Sequence, residues 1–244
     1  MILDTAARVV LMPVLLVQAM YLRMTVVRLP EPEGPRRGTV GEGPKLRLLI
    51  LGDSSAAGVG VQVQDDALLG QVTALLAEVA TVEFQLIART GAKTGDVLGW
   101  LDDMPQGPFD VVVVALGVND VTKAVTLRKW LTQQSTLLDQ LVQSFGAKHV
   151  VVSGLPPMRD FPLLPQPLRW VLGRQAERFD RALHALVAVR DDSSAVTIDL
   201  QVSDDNMSPD GFHPGAEVYA TWAAAVAAHI MAHPGLLDGP GSSA

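Results

Sequence analysis

Residues 46–55 read LRLLILGDSS, an apolar run that stops at a glycine and is followed by three polar residues. A short run that is apolar at almost every position is typical of a strand buried on both faces, which occurs mainly in parallel sheets. The polar residues after it would lie in the loop that leaves the carboxyl end of the strand. The segment therefore predicts a buried strand that delivers Asp53, Ser54 and Ser55 to one edge of a sheet.

Four further short runs rich in Val, Ile and Leu follow, at residues 82–88, 111–116, 150–153 and 196–200. Amphipathic stretches long enough for helices separate or follow them, at residues 66–80, 95–103, 126–146, 168–190 and 215–233. Strands that alternate with helices indicate a parallel sheet covered on both faces. The sequence predicts an α/β fold, a three-layer α/β/α sandwich with a parallel five-stranded sheet, whose binding crevice lies at the carboxyl ends of the strands.

The composition limits the chemistry. The chain has 244 residues, 48% of them hydrophobic, which is enough for one domain with a sizeable core. Its 19 basic and 26 acidic residues give a formal net charge of −7, so we expect no nucleic-acid partner. The absence of cysteine excludes disulfides, thiolate metal sites and a cysteine nucleophile. We predict no cofactor and no metal, and a nucleophile would have to be Ser, Thr, Lys or a carboxylate.

The chain divides into four segments. Residues 1–28 predict an apolar N-terminal helix, residues 29–44 a Pro/Gly-rich linker, residues 45–233 the folded domain, and residues 234–244 a flexible tail. Residues 9–22 carry no charged side chain. As a helix they would rise only about 21 Å, which is short for a bilayer core of about 30 Å.

Three interpretations of the N-terminal helix remain open. It packs on the domain, it lies in the plane of a membrane surface between Arg8 and Arg23, or it is the signal peptide of an exported protein. Asp4 and Pro13 are unusual in a signal peptide. We predict a cytoplasmic protein that can contact a membrane peripherally through residues 1–28, with export as the alternative.

Four of the predicted loops carry residues of complementary chemistry. The hydroxyl of Ser54 becomes a nucleophile when a base removes its proton, and the imidazole of His213 titrates in the required range. Asp210, three residues earlier, can accept a hydrogen bond from imidazole Nδ1 and so hold its tautomer. The backbone N–H groups of Ser54 and Gly91 and the amide of Asn119 can donate to an oxyanion. We therefore predict a Ser-Asp-His triad with a three-donor oxyanion hole and a small-molecule ester as substrate.

These segments resemble the four sequence blocks of the SGNH (GDSL-type) hydrolases, in the same order: Gly52-Asp53-Ser54, Gly91, Gly117-Val118-Asn119-Asp120 and Asp210-Gly211-Phe212-His213-Pro214. The resemblance extends from about Lys45 to Ile230. It implies a flavodoxin-like sandwich and a metal-independent serine esterase, lipase, acetylesterase or thioesterase. By position it also implies Ser54 as nucleophile, Asp210 and His213 as acid and base, and Gly91 and Asn119 as oxyanion donors.

Two positions depart from the family pattern. Ser55 stands where leucine is common, and the second block has Ala88-Arg89-Thr90 before its glycine, in place of the usual asparagine. Gly95 is therefore an alternative to Gly91 as the oxyanion donor. We favour Gly91 because residues 96–101 then continue in the helix register expected after that block.

Other polar residues have structural interpretations. Asp53 is expected to cap or brace its loop, and Asp120 to be a turn residue. Asp199 is a weaker alternative to the aspartate of the triad, since it lies farther from the histidine along the chain. His229 and His233 are four residues apart, but no third ligand is near them in sequence, so we predict no metal site there.

Residues 155–170 contain five prolines and several large apolar side chains, so this loop must either pack or line a pocket. It follows the fourth strand at the predicted edge of Ser54. We predict that Phe161, Leu163 and Leu164 bind the acyl group, the alternative being that they only cover the core. The predicted function is a serine esterase for short to medium acyl chains. Alternatives are an acyl thioesterase or lysophospholipase, a carbohydrate O-acetylesterase, and a non-catalytic acyl-binding module.

Overall fold

The structure is a computed structural model that describes residues 2–101, 103, 107–198, 200–233 and 235–237. These residues contain a six-stranded sheet in the order β1-β3-β2-β4-β5-β6. Its strands are β1 (Arg37–Val40), β2 (Lys45–Gly52), β3 (Thr81–Ala88), β4 (Val111–Ala115), β5 (His149–Ser153) and β6 (Ser193–Val196). Strands β2 to β6 pair in parallel, which confirms the predicted parallel sheet, and β1 adds an antiparallel edge on β3.

Strand β1 lies inside the segment predicted to be a linker, and that interpretation is wrong for residues 37–40. All four residues of β1 are exposed, so none of them needs to be apolar. Their sequence therefore lacks the apolar run or alternation that indicates a strand. Backbone pairing with β3 holds them instead, with Gly38 opposite Phe84. A Cβ at Gly38 would lie 2.8 Å from Cζ of the Phe84 ring, so the ring packs closely over this glycine.

The helices are α1 (Ile2–Thr25), α2 (Ser54–Ala57), α3 (Leu68–Ala77), α4 (Thr94–Leu98), α5 (Val118–Thr122), α6 (Leu127–Gln143), α7 (Leu168–Val187) and α8 (Ala216–Ala232). Alternate residues of the strands pack on opposite layers. Leu49 and Leu51 join a core that contains Trp130 of α6 and Phe179 of α7. Leu48, Ile50 and their neighbours pack against α3 and α8. The predicted three-layer sandwich is confirmed.

The last strand differs from the prediction. Residues 196–200 were expected to form it, but β6 covers Ser193–Val196. Its serines carry no apolar signal, although Ser194 Oγ lies 2.7 Å from a ring nitrogen of His149. Ile198 and Leu200, which make residues 196–200 apolar, lie beyond the strand and line a cavity. Their apolar character reflects this cavity rather than the sheet.

Helix α1 contacts the domain through the start of α7. Leu15 is buried there, and Gln18 Nε2 donates to the carbonyl of Gln166 over 2.6 Å. Across the part of the chain that the structure describes, no helix combines the length and hydropathy that crossing a bilayer needs. Of the predicted tail, residues 234 and 238–244 lie outside the described residues.

Candidate active site

Ser54 lies where β2 ends and the short helix α2 begins. Asp53 is the N-cap of α2, and its carboxylate accepts a hydrogen bond from the Ser55 N–H at 3.0 Å. The end of β2 packs closely against β4, because a Cβ at Gly52 would lie 2.5 Å from the Ala115 carbonyl oxygen. Strand, glycine and cap together hold Ser54 at the carboxyl edge of the sheet, where its side chain is 6% exposed.

The loop after β6 holds Asp210 in a dense set of hydrogen bonds. Its Oδ1 accepts from Ser208 Oγ at 2.7 Å, from the Phe212 N–H at 2.8 Å and from the His213 N–H at 2.9 Å. Burial alone would raise the pKa of Asp210, but the hydrogen bonds from His213, Ser208 and Phe212 outweigh it and lower the pKa to about 2. The carboxylate therefore stays ionised at neutral pH.

His213 connects this loop to Ser54. Its Nδ1 lies 2.6 Å from Asp210 Oδ2, and its Nε2 lies 2.9 Å from Ser54 Oγ. Since the Asp210 carboxylate can only accept at Nδ1, the proton belongs on Nδ1 and Nε2 faces the hydroxyl as an acceptor. The structure brings together the three residues predicted as a triad, although Ser54 and His213 are 159 positions apart.

Two of the predicted oxyanion donors are backbone N–H groups. Gly91 follows β3, which pairs with β2 up to Gly52 opposite Ala88. It has a φ of +80°, and its carbonyl accepts from Lys123 Nζ at 2.6 Å. Among the described residues, the N–H groups of Ser54 and Gly91 have no acceptor. Both are therefore available to a ligand.

Asn119 lies in α5, directly after β4, and its amide is held by the residue next to Ser54. Its Nδ2 donates to Asp53 Oδ2 at 3.0 Å, which leaves its second N–H free to donate. Burial raises the pKa of Asp53 to about 6, although the Ser55 N–H, the charge of His213 and the Asn119 amide act in the opposite direction. Asp53 thus caps the start of α2, as expected for its loop, and its other carboxylate oxygen also holds the Asn119 amide.

Asp120 is not the turn residue that the sequence suggested. It lies inside α5, is fully buried, and accepts from the Thr94 N–H at 3.1 Å and from Thr94 Oγ at 3.0 Å. Its carboxylate joins α5 to α4, next to Gly95. A Cβ at Gly95 would lie 2.3 Å from Gln133 Nε2, so Gly95 packs against the Gln133 side chain of α6.

A small apolar cavity of about 60 Å³ lies at the carboxyl ends of β4 and β5. Its lining includes Asp53 and Ser55, on either side of Ser54 in the chain, and Phe212, next to His213. Phe161 also lines it and meets Phe212 edge to face, with 5.3 Å between ring centroids. The cavity therefore adjoins the Ser54–His213 pair.

The predicted acyl wall is only partly in place. Phe161 lines the cavity, but Leu163 and Leu164 do not. Leu164 is buried in the core, and the Leu163 N–H donates to the Gly211 carbonyl at 3.0 Å. These two leucines pack the loop, which is the alternative that the sequence left open. Of the three side chains predicted to bind the acyl group, Phe161 lines this cavity, and an acyl wall formed by all three stays a prediction.

Three residues near the site had no signal in the sequence. Tyr219 Oη lies 3.0 Å from the Ser55 carbonyl oxygen and 2.8 Å from that of Val59, so α8 supports the segment after Ser54. Lys123 Nζ donates to the Gly91 carbonyl, and Ser208 Oγ donates to Asp210 Oδ1, as described above. Asp199, the weaker alternative partner of the histidine, lies outside the described residues.

The fold and the site can be compared with known proteins. The sequence model of the GDSL-like Lipase/Acylhydrolase family matches residues 50–221, while no curated protein matches the chain. One similar solved structure is the lipase Lip_vut3 from a goat rumen metagenome, with a TM-score of 0.62 and 17% identity over 75% of this chain and 96% of that chain.

Two other similar structures have comparable scores. The psychrotrophic esterase EstA from Pseudoalteromonas has a TM-score of 0.56 and 18% identity over 76% of this chain and 98% of that chain. The acetylxylan esterase Axe2 from Geobacillus stearothermophilus has a TM-score of 0.57 and 17% identity over 77% of this chain and 94% of that chain. At these identities the similarity to the solved structures supports the fold. The family match over most of the domain supports ester hydrolysis as the reaction. The chain therefore belongs to the GDSL-like lipase/acylhydrolase family and is a carboxylic ester hydrolase.

Proposed function

We propose that the chain is a serine esterase in which Ser54, His213 and Asp210 act as nucleophile, base and acid. The observation that carries this proposal is the continuous hydrogen-bonded series from Asp210 Oδ2 through both ring nitrogens of His213 to Ser54 Oγ, at 2.6 and 2.9 Å. Heavy-atom distances in this range allow direct proton transfer.

The reaction proceeds in two acyl transfers. His213 Nε2 takes the Ser54 proton as Oγ attacks the ester carbonyl, and the tetrahedral oxyanion collapses as the imidazolium returns the proton to the leaving alcohol. A water, deprotonated by the same nitrogen, then attacks the acyl-enzyme. This step releases the carboxylic acid and restores the Ser54 hydroxyl.

The oxyanion accepts from the N–H groups of Ser54 and Gly91 and from the Asn119 amide. Their free N–H groups support this role, because they need no rearrangement when the charge develops. Asp53 acts through Asn119 and does not touch the reacting atoms, so it is a positioning residue. The ionised Asp210 stabilises the imidazolium that forms in each half-reaction.

The acyl group occupies the cavity lined by Phe161, Ile198 and Phe212. Its volume of about 60 Å³ is below the roughly 150 Å³ of an engineered cavity that holds benzene, so it favours the short end of the short to medium range. Thioesters with such acyl groups fit the same site, which makes acyl thioesterase the main alternative. The acetylxylan esterase Axe2 supports an acetyl ester as one substrate to include.

The test uses Ser54→Ala with Ser144→Ala as the matched control, since Ser144 is exposed at the end of α6. We expect Ser54→Ala to abolish both p-nitrophenyl acetate hydrolysis and labelling by a fluorophosphonate probe, while Ser144→Ala retains both. Wild-type activity or labelling in Ser54→Ala would refute the proposed nucleophile.

The acyl assignment is tested with acetyl, butyryl and octanoyl esters. Phe161→Ala enlarges the cavity and should shift the relative rates towards butyryl and octanoyl esters, whereas Leu163→Ala, which lies off the cavity, should not. Equal relative rates in Phe161→Ala and the wild type would contradict the acyl site. The same panel with acyl thioesters distinguishes esterase from thioesterase.

A further inference from the structure

Helix α1 touches the domain along one narrow stripe. Leu15 is buried, and Leu11, Gln18 and Leu22 are half-buried. At 100° per residue, these four positions span only about 60° of the helix circumference. Over residues 10–25, the part of α1 whose side chains the structure describes, the other positions are exposed.

The uncovered surface of α1 is apolar over most of its width. Its large exposed side chains are Val10, Met12, Val14, Leu16, Val17, Met20, Tyr21 and Met24. At 100° per residue they cover about 200° of circumference. A packed partner helix usually takes up a stripe of about 100°. An arc twice as wide suits immersion in an apolar medium better than contact with one protein face.

The polar residues at the C-terminal end of this apolar helix match the headgroup region of a bilayer. Arg23 and Arg28 are exposed after the apolar run, and residues 5–30 contain no acidic side chain in a chain whose net charge is −7. Tyr21 and Trp170 are exposed, and rings with a polar atom favour membrane interfaces. Basic residues beside an apolar helix face favour binding to lipid phosphates.

We propose that α1 lies flat on a lipid bilayer surface, with the exposed arc from Val10 to Met24 buried among the headgroups and upper acyl chains. The helix enters the bilayer to a depth of about 5–10 Å and does not cross it. Lipid esters in that surface are then the substrates nearest to the site, which is the one part of this inference that rests on the proposed function.

Hydrogen bonds connect α1 to the loop after β5, which in turn contacts the loop of His213. Gln18 Oε1 accepts from the Leu168 N–H at 3.1 Å, at the first turn of α7. The segment just before that turn reaches the triad loop, where the Leu163 N–H donates to the Gly211 carbonyl at 3.0 Å. Gly211 is two residues from His213. These contacts connect α1, through residues 163–168, to the loop that carries His213.

The experiment measures flotation of the full chain with vesicles of phosphatidylcholine, alone and mixed with phosphatidylglycerol. We expect binding to both, stronger on the anionic vesicles, with the difference removed by high salt. In the variant Val17→Asp/Met20→Asp, at positions 68% and 63% exposed, vesicle partitioning should fall at least tenfold. Val189→Asp, 85% exposed near the other end of α7, is the matched control and should bind as the wild type does.

Two further measurements keep the outcomes distinct. Hydrolysis of p-nitrophenyl acetate and the circular dichroism spectrum should be unchanged in Val17→Asp/Met20→Asp, and Val17→Ser/Met20→Ser replaces it if the aspartates prevent folding. Ser54→Ala should float like the wild type, so failure of the catalytic proposal leaves the membrane proposal testable. No flotation of the wild type overturns the membrane proposal, as does equal flotation of the α1 variant. A stable dimer that dissociates in that variant without binding vesicles would show that a second copy covers α1.

Discussion

Replacing Asp210 by asparagine changes the charge and the hydrogen-bond chemistry of the proposed triad while it keeps the side-chain shape. Oδ1 of Asp210 already accepts from Ser208 Oγ and from the N–H groups of Phe212 and His213. The asparagine oxygen must take this position to satisfy them. Its NH₂ group then faces His213 Nδ1, where it can only donate, and this forces the imidazole proton onto Nε2. In that tautomer the imidazole cannot accept the proton of Ser54.

The size of the activity loss in Asp210→Asn depends on the free energy needed to turn the asparagine amide into its other orientation. Turning the amide restores the correct tautomer but leaves the buried N–H groups of Phe212 and His213 without an acceptor. Each unsatisfied group costs about 1–3 kcal/mol, so the competent form lies about 2–6 kcal/mol higher. At about 1.36 kcal/mol per factor of ten, its population falls by about 30-fold to about 3 × 10⁴-fold. The lost charge beside the imidazolium adds to this, so we expect kcat/KM to fall by about 10² to 10⁵.

The assay is p-nitrophenyl acetate hydrolysis by the wild type, Asp210→Asn and the control Asp205→Asn, whose side chain is exposed in the same segment. The pKa of Asp210, lowered to about 2, keeps the wild-type carboxylate ionised from about pH 4 upwards, so the ratio of rates should not follow a carboxylate titration. A loss below tenfold in a folded Asp210→Asn protein, at a thermal midpoint close to that of the wild type, would refute the tautomer argument.

Three other changes have predictable outcomes. Asp53→Asn brings two amide NH₂ groups together and should turn the Asn119 amide, so kcat should fall by about 10² to 10³. Burial raises the pKa of Asp53 to about 6, so its ionised form is disfavoured in the folded protein. Removing this charge should therefore not lower the free energy of unfolding measured in urea at pH 7. Burial and the neighbouring histidines lower the pKa of His149 to about 4, so between about pH 6.5 and 4 the unfolded chain binds a proton that the folded chain does not. The free energy of unfolding should therefore decrease by up to about 3 kcal/mol as the pH is lowered from about 6.5 to 4. His149→Gln should remove this pH dependence. Gly60→Ala places a Cβ 2.1 Å from the Pro214 carbonyl oxygen at φ +117°, so we expect about 1–3 kcal/mol lower stability and at least tenfold lower kcat/KM.

Each of these outcomes has a comparison that isolates its cause. Gly235→Ala has the same type of backbone conformation, at φ +80°, but no atom within 4 Å of the added Cβ, so it measures backbone strain without displacement of the triad loop. Unchanged kcat in Asp53→Asn would show that the Asn119 amide does not need its brace. An identical pH slope in His149→Gln and the wild type would assign the acid sensitivity to other groups.

The apolar runs and the polar residues that end them determined much of this protein from sequence alone. A run that is buried on both faces needs apolar residues at nearly every position, so β2, β4 and β5 are visible without any tertiary information. Since parallel strands end at one edge of the sheet, Ser54, Asn119 and His213 could be assigned to one site from their order in the chain. Their roles follow from side-chain chemistry that is independent of the fold.

Only the tertiary structure decided the elements whose stability comes from distant partners. Strand β1 is exposed and is held by backbone pairing with β3, and Ser194 of β6 is held by hydrogen bonds to His149 and His229. Neither type of contact leaves a periodic pattern in the local sequence. The same holds for the buried Asp120, whose partner Thr94 is 26 positions away, and for α1, whose apolar residues do not reveal which side faces the domain. Local patterns report which residues avoid water, whereas the identity of the group that covers or pairs with them depends on the packing of the whole chain.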